Sequence, residues 1–421
     1  MAEGKTNKAL MWTILIIALI QMPQFALLPA TNLIATEVFP DRGLPTIQTV
    51  MSLPGIVAVF AGVLSAMLVR NRFVSKKAMT VFGLVMIMLT GVVSLLMHSR
   101  FWQLCLMNTF VGVGMGTFVQ SAQSIMFDNF DEKTRQFISG VSFSFINIGG
   151  LVMSLMCGFL ITFIWYGGHL QMLVALPVVI IALLVIPSDN KKRGPRGNEA
   201  DIAQNITSTD AIVPETMAAS SGNGVTKLPL RTIYYTFLII IFMIVYNVAT
   251  VNISTHLAAG GVGDASTAGI ATAFLMVGGV VVGFIFPKLS QAIGDYLFTL
   301  TFILMAIGFT LMNIFPTSLV ITLAAMFLCG STISLLVPRC IFNVSNLTDP
   351  TNSATATMLV CCVAPGGGHF LSPVIMTNLT LALGGESTRY RFQFTAFVCL
   401  ALAVILFAYN LYRQKRKAVM V

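Results

Sequence analysis

Apolar runs long enough to cross a lipid bilayer recur through the whole chain, and nothing else in the sequence restricts its fold as much. A transmembrane helix takes about 20 predominantly apolar residues. Twelve runs reach that length, at 9–36, 46–69, 78–97, 102–127, 137–164, 169–187, 233–256, 266–288, 296–315, 318–342, 354–381 and 392–412. A barrel strand would need only about ten residues of alternating polarity. The runs therefore predict an all-α integral membrane protein of twelve transmembrane helices. Composition agrees: 9% of the residues are charged, where soluble proteins carry roughly a quarter. Residues 5–30 alone would also read as a signal peptide, with Lys5 and Lys8 ahead of an apolar core. No small-residue cleavage site follows, and eleven further runs do.

An even number of spans puts both termini on one side. Of the 24 Lys and Arg, all but Arg42, Arg100, Arg389 and Arg391 then fall on that side. The positive-inside rule makes it the cytoplasm, so the expectation is a multi-pass cell-membrane protein with cytoplasmic ends. One span more or fewer would scramble the partition. The net charge of +9 is thus a product of topology and calls for no nucleic acid. RQKRK at 413–417 forms a basic anchor beside anionic lipid. The seven cysteines all fall in apolar runs, an odd count that argues against a disulfide framework or a CxxC metal site. GVGMG at 112–116 lies in a membrane run with no strand before it, so it is no dinucleotide loop. No P-loop, zinc spacing or Ser/His/Asp arrangement is visible, which predicts neither cofactor nor metal nor catalysis.

The one long polar stretch, 188–231, is rich in Gly, Pro, Ser and Asn and lacks apolar periodicity. It reads as a cytoplasmic linker between a six-helix bundle at 1–187 and another at 232–421. Faint repetition crosses it. Helix 5 carries FSFINIGGLVMS and helix 11 carries CCVAPGGGHFLSP, each with glycines about a dozen residues into its span. Two similar bundles would place a solute site at their interface, near the midplane.

Between spans two and three, GVLSAMLVRNRFVSKKAMTVFGL resembles the loop motif of the major facilitator superfamily, G-x-L-a-D-R-x-G-R-K. The second-half counterpart GFIFPKLSQAIGDY keeps Lys288 and Asp295. MNTFVGVGMGTFVQSAQSIMFDNFDEKTRQFISG, NIGGLVMSLMCG and GGGHFLSPVI are similar to the sugar- and drug-efflux-type branches. The resemblance implies a transporter with a cytoplasmic gate at Asn71, Arg72, Lys76, Lys77 and Arg135, and a path lined by helices 1, 4, 7 and 10. Four departures stand out. Asn71 replaces the motif's Asp and Val74 its Gly. Asn108 stands where proton-coupled members carry Arg, and helix 5 lacks the antiporter Gly-Pro signature.

Ionisable groups within a span are costly and are usually kept for a purpose. The Asp and Glu all fall in loops, in the linker or at span ends. Three other candidates remain. His369 in helix 11 is either a proton or substrate contact, since His ordinarily titrates close to neutrality, or a neutral hinge partner in a tight helix crossing. Arg339, late in helix 10, either grips an anion or snorkels to the headgroups. His256 is expected at the outer interface, bonded to water.

Neutral polar stripes carry more. Gln21, Gln24, Phe25 and Asn32 share one face of helix 1, and Asn108, Gln120 and Gln123 one face of helix 4. Asn147 marks helix 5; Asn247 and Thr250 mark helix 7, with Tyr246 beside them. Unpaired polar groups cannot face lipid, so these faces point inward, toward a cavity or toward one another. The expected function is a secondary transporter, monomeric in the bilayer, that moves a small organic solute by alternating access. Uniport, exchange (a counter-transported anion included) and weak coupling to protons through His369 all stand. An organic-anion carrier using Arg339 and a non-transporting sensor with the same fold are the alternatives.

Overall fold

The computed structural model describes residues 8–71, 73–130, 132–187, 230–345, 356 and 358–419. All the regular structure among them is helical. In chain order the elements are α1 (Lys8–Val38), α2 (Leu44–Arg70), α3 (Lys76–Leu96), α4 (Phe101–Asn129), α5 (Glu132–Leu160), α6 (Gly167–Val185), α7 (Leu230–Gly260), α8 (Ala265–Ile293), α9 (Leu297–Ile314), α10 (Leu319–Ser345), α11 (Leu359–Ala382) and α12 (Thr388–Val419). Ten stretches are long and apolar enough to cross a membrane; one, Ala265–Ile314, holds both α8 and α9, and the shorter apolar run Ser144–Leu160 lies in α5. Together these account for the twelve expected spans. The proposed linker lies almost wholly outside the described residues.

Three spans depart from the straight helices their run lengths predict: α6 through a 3-10 turn at Gln171–Val174, and α1 and α11 more strongly. α1 is α-helical over Lys8–Ala18 and again briefly at Thr31–Leu33. Between these it passes through tight 3-10 turns at Pro23–Ala26 and Leu28–Ala30, and after them through a wide π turn at Ile34–Val38. Pro23 and Pro29 have no N–H to give the ladder and clash with the preceding turn, so the chain restarts at each. α11 stays helical through its glycines but widens to π turns at Leu359–Val363 and Pro373–Thr377, on either side of the α segment Ala364–Ser372. Such insertions mark functional positions in helices. Elsewhere the starts follow capping chemistry. Ser75 Oγ accepts the Ala78 N–H at 3.1 Å to open α3, and the Asp264 carboxylate accepts the Thr267 N–H at 3.0 Å to open α8. That backbone bond holds the Asp264 carboxyl below the usual carboxylate range.

The first and last six helices pack alike. α4 lies against α2 and α3, as α10 lies against α8 and α9. Two seams join the sets: α2 runs along α11, and α5 along α8. Each seam turns on a glycine pair. A Cβ on Gly55 would come within 2.7 Å of the Gly366 carbonyl, and one on Gly269 within 2.9 Å of the Gly158 Cα. Backbones approach this closely only where side chains are missing. Large apolar side chains such as Phe60, Phe159, Phe284 and Val404 are exposed, as lipid-facing surface requires.

Candidate functional site

The helix directions define two ends. The terminal end holds Lys8, where α1 begins, and Val419, where α12 ends, and the far end lies opposite. Midway between them, α7 and α11 meet through a polar contact. Asn247 donates its Nδ2 to the Met243 carbonyl at 2.7 Å, which turns its Oδ1 outward. That oxygen accepts from His369 Nδ1 at 2.7 Å and from the Thr250 hydroxyl at 3.3 Å. A neutral His369 therefore carries its proton on Nδ1 and its lone pair on Nε2. The residue is 5% exposed, and Nε2 has no protein partner. Phe25, from the irregular part of α1, sets its ring edge-on to the imidazole at 5.8 Å between centroids. A Cβ on Gly55 would stand 3.1 Å from His369 Cδ2, so glycine there makes room for the ring. Nearby in α1, Gln24 keeps a buried Oε1 without a partner. Two turns before His369, Cys362 Sγ accepts from Gln120 Nε2 of α4 at 3.1 Å.

At the far end a second polar group ties the two six-helix sets together. Gln48, fully buried in α2, donates to Asn252 Oδ1 at 2.9 Å and accepts from the Thr377 hydroxyl at 2.8 Å. The Ser254 hydroxyl donates to the Pro29 carbonyl at 2.8 Å and receives the Asn32 N–H at 3.4 Å. Gln48, Asn252 and Thr377 were not legible as a site. They lie off the polar faces picked out along helices 1, 4, 5 and 7, and only their apposition gives them a role.

At the terminal end the charges gather within the last six helices. Asp295, between α8 and α9, accepts from Arg339 at 2.9 Å and Arg413 at 2.9 Å, and from Asn343 at 3.1 Å. Arg339 also donates to Ser290 at 3.1 Å. Arg339, expected either to grip an anion or to snorkel to the headgroups, is held by this adjacent carboxylate at the terminal end of α10, away from the central group. In the first half Lys77 donates to the Leu183 carbonyl at 2.7 Å and so caps α6. Asn71 is exposed and closes α2 through its backbone N–H to Met67 at 3.0 Å. Lys76 is half-buried. Arg72 and the side chains of Arg135 and Gln123 lie outside the described residues.

Of the other expected lining residues, Asn108 turns into its own half. It donates to Leu104 at 2.9 Å and meets His169 Nε2 of α6 at 3.4 Å. Tyr246 is buried against Phe242, with ring centroids 5.5 Å apart. Both sit one step round the helix from the contact surface, which stripe spacing alone does not resolve. Asn147 is buried beside Gly279 of α8, and Gln21 is half-buried in the irregular part of α1. His256, expected in water at the interface, is buried against the Phe392 ring at 4.9 Å, because α12 covers that face of α7. No group of three His, Cys, Asp or Glu among the described residues could hold a metal ion.

Two six-helix sets, joined along matched glycine seams and holding amides and a histidine between them, define the class: a membrane transport protein. The chain matches the Major Facilitator Superfamily over residues 13–367 and belongs to it. It is accordingly a secondary transporter that works by alternating access. Similar solved structures include the POT family transporter PepTSo, at 10% identity and a TM-score of 0.72, covering 98% of this chain and 99% of that one. The nucleoside transporter NupG follows at 13% identity and 0.70, covering 95% and 98%. A bacterial homologue of the human lysosomal transporter Spinster has 14% identity and 0.64, covering 98% of each. At these identities the likeness speaks for the fold. No curated protein sequence matches the chain.

Proposed function

We propose that the chain carries a small polar organic solute, held midway between residues 1–187 and 232–421 by Phe25, Asn247, Thr250 and His369, with Gln24 and Gln120 at its edge. The observation that carries this reading is the contact between His369 and Asn247 at 2.7 Å, with Phe25 of the other half on the same ring. The buried Nε2 of His369 and Oε1 of Gln24 are acceptors that a donor-bearing solute would satisfy; buried acceptors otherwise lose their hydration unrewarded. The far-end group around Gln48 acts as a latch that holds the path shut on the outer side. Both termini lie in the cytoplasm, with the linker.

Uniport or exchange is favoured over proton antiport and over proton-driven efflux, because the described carboxylates sit at helix ends or in loops. Recognition of an organic anion by Arg339 is not favoured, because Asp295 already neutralises it. The test begins with thermal-shift screening of purified protein against sugars, nucleosides, carboxylates and amphiphiles, followed by uptake into reconstituted vesicles. The solute that stabilises the protein is expected to be taken up, and Asn247→Ala and His369→Ala are each expected to lower its uptake at least about tenfold. Uptake unchanged in both variants would remove this site. A ligand that binds and is never moved would identify a sensor instead.

A further inference from the structure

One full charge is buried among the described residues with no carboxylate beside it. Among the described residues Arg391 is the only Lys, Arg, Asp or Glu in the buried class, at 3% exposure. It sits in the first turn of α12, at the far end. Its Nη1 donates to Asn252 Oδ1 at 3.1 Å and its Nη2 to the Glu386 carbonyl at 3.3 Å. Its Nε is buried with no partner. No carboxylate among the described residues comes within 4.0 Å of it. Arg339, which is more exposed, has the Asp295 carboxylate at 2.9 Å. The fold thus pairs the arginine that water could help to stabilise and leaves unpaired the one that water barely reaches. A buried, uncompensated cation is strongly unfavourable, and guanidinium is the group best shaped to take a carboxylate or a small oxyanion through two parallel bonds.

The position of Arg391 supplies the second half of the argument. Asn252 Oδ1 accepts from Arg391 on one side and from Gln48 Nε2 of the other half on the other. Arg391 therefore stands directly behind the latch. Withdrawal of Gln48 would free Asn252 from the other half and leave the guanidinium beside the parted latch.

We propose that Arg391 is the core of an anion-binding site at the far mouth, filled when the latch parts and emptied when it closes. This rests on the transporter reading, and it gives the solute, or an ion that travels opposite to it, a negative group. A carboxylate on the solute and a free chloride would satisfy the same chemistry.

The experiment uses full-length protein in lipid nanodiscs at low salt, in the Gln48→Leu background that holds the latch open. Sodium formate and sodium chloride are titrated separately, and the thermal unfolding midpoint is read against concentration. A saturable rise is expected, larger than in the protein with Gln48 intact. Arg391→Gln is expected to weaken it about tenfold or more, as loss of a charge-assisted pair should; Arg391→Lys is expected to restore part of it, and Arg389→Gln to leave it alone. Preference for formate assigns the site to a solute carboxylate, and preference for chloride assigns it to a counter-ion. No saturable rise, or the same rise in Arg391→Gln, overturns the proposal. Labelling of a far-side cysteine in the same Gln48→Leu protein keeps the two readings apart: if labelling is unchanged it is the latch that fails, and if labelling increases with no anion effect it is the Arg391 site.

Discussion

Replacing Gln48 by Leu should tip the protein toward the state open at the far end. The side chain is fully buried, and leucine is close to it in volume, so packing within α2 survives. Two hydrogen bonds to the last six helices do not: the one to Asn252 at 2.9 Å and the one from Thr377 at 2.8 Å. Interhelical bonds of this kind contribute about 0.6–1.7 kcal/mol each in a membrane. Their joint loss therefore raises the ratio of far-open to far-closed protein about 8- to 300-fold. Thr377→Val removes only one of the two, and its effect on a logarithmic scale should be about half as large. The readout is the rate at which a membrane-impermeant thiol reagent, applied on the far side, modifies a cysteine placed at Thr250 in a protein whose seven native cysteines have been replaced. Thr250 is fully buried, so its rate reports opening. Equal rates in the parent, Gln48→Leu and Thr377→Val would refute the latch. So would a larger effect from Thr377→Val than from Gln48→Leu.

The remaining expectations concern the seams, the charges and the caps. Gly366→Ala puts a methyl group 2.7 Å from the Gly55 carbonyl; overpacking of this order destabilises by about 1–3 kcal/mol, and lowered thermal stability together with lost uptake would show it. Arg339→Ala leaves Asp295 with Arg413 and Asn343 only, and should lower stability by about 1–3 kcal/mol while the solute preference in uptake stays as it was. His369→Gln keeps a donor toward Asn247 but cannot titrate; if His369 couples protons, the pH dependence of uptake seen in the parent disappears in this variant. Asp264→Ala removes the α8 cap and should lower stability by about 1 kcal/mol. Because the Asp264 carboxyl titrates below its unfolded value in the native protein, the advantage over Asp264→Ala is complete above the unfolded pKa, about 3.9. It fades as pH falls through the native value, which melting curves between neutral pH and acid would follow.

Much of the architecture was already legible. Run length and the one-sided distribution of Lys and Arg fixed the number of spans, because bilayer thickness and insertion chemistry act on residues one segment at a time. The bends were legible in kind only: Pro23 and Pro29 announce a broken helix, but the choice of 3-10 turns followed by a π turn depends on what packs around them. α5 begins at Glu132, not at 137, since polar residues at a helix end carry no apolar signal. It ends at Leu160, not at 164, because the apolar residues that follow carry no stop signal of their own. At the site, spacing along α7 selected the face bearing Asn247 and Thr250. It could not say that Asn108 would find His169 within its own half, nor that Asp295 would claim Arg339, because those partners lie far away in the chain. Arg391 is one of four outer cations in the sequence and marks only topology there; its burial follows from the packing of α12 on α7, whose Asn252 lies 139 residues away in the chain.

The two glycine seams bear on how such a molecule can move at all. Knobs seated in holes must be lifted out before one surface can slide past another, and each lifted knob adds to the barrier. Along α2 and α11, and along α5 and α8, backbone meets backbone at the glycine pairs, so what has to be unseated there is chiefly the His369 ring beside Gly55, the Gln48–Thr377 bond and the Ser154–Gly269 bond. The missing methyl groups are what would let the protein turn over quickly while the rest of each bundle stays rigid.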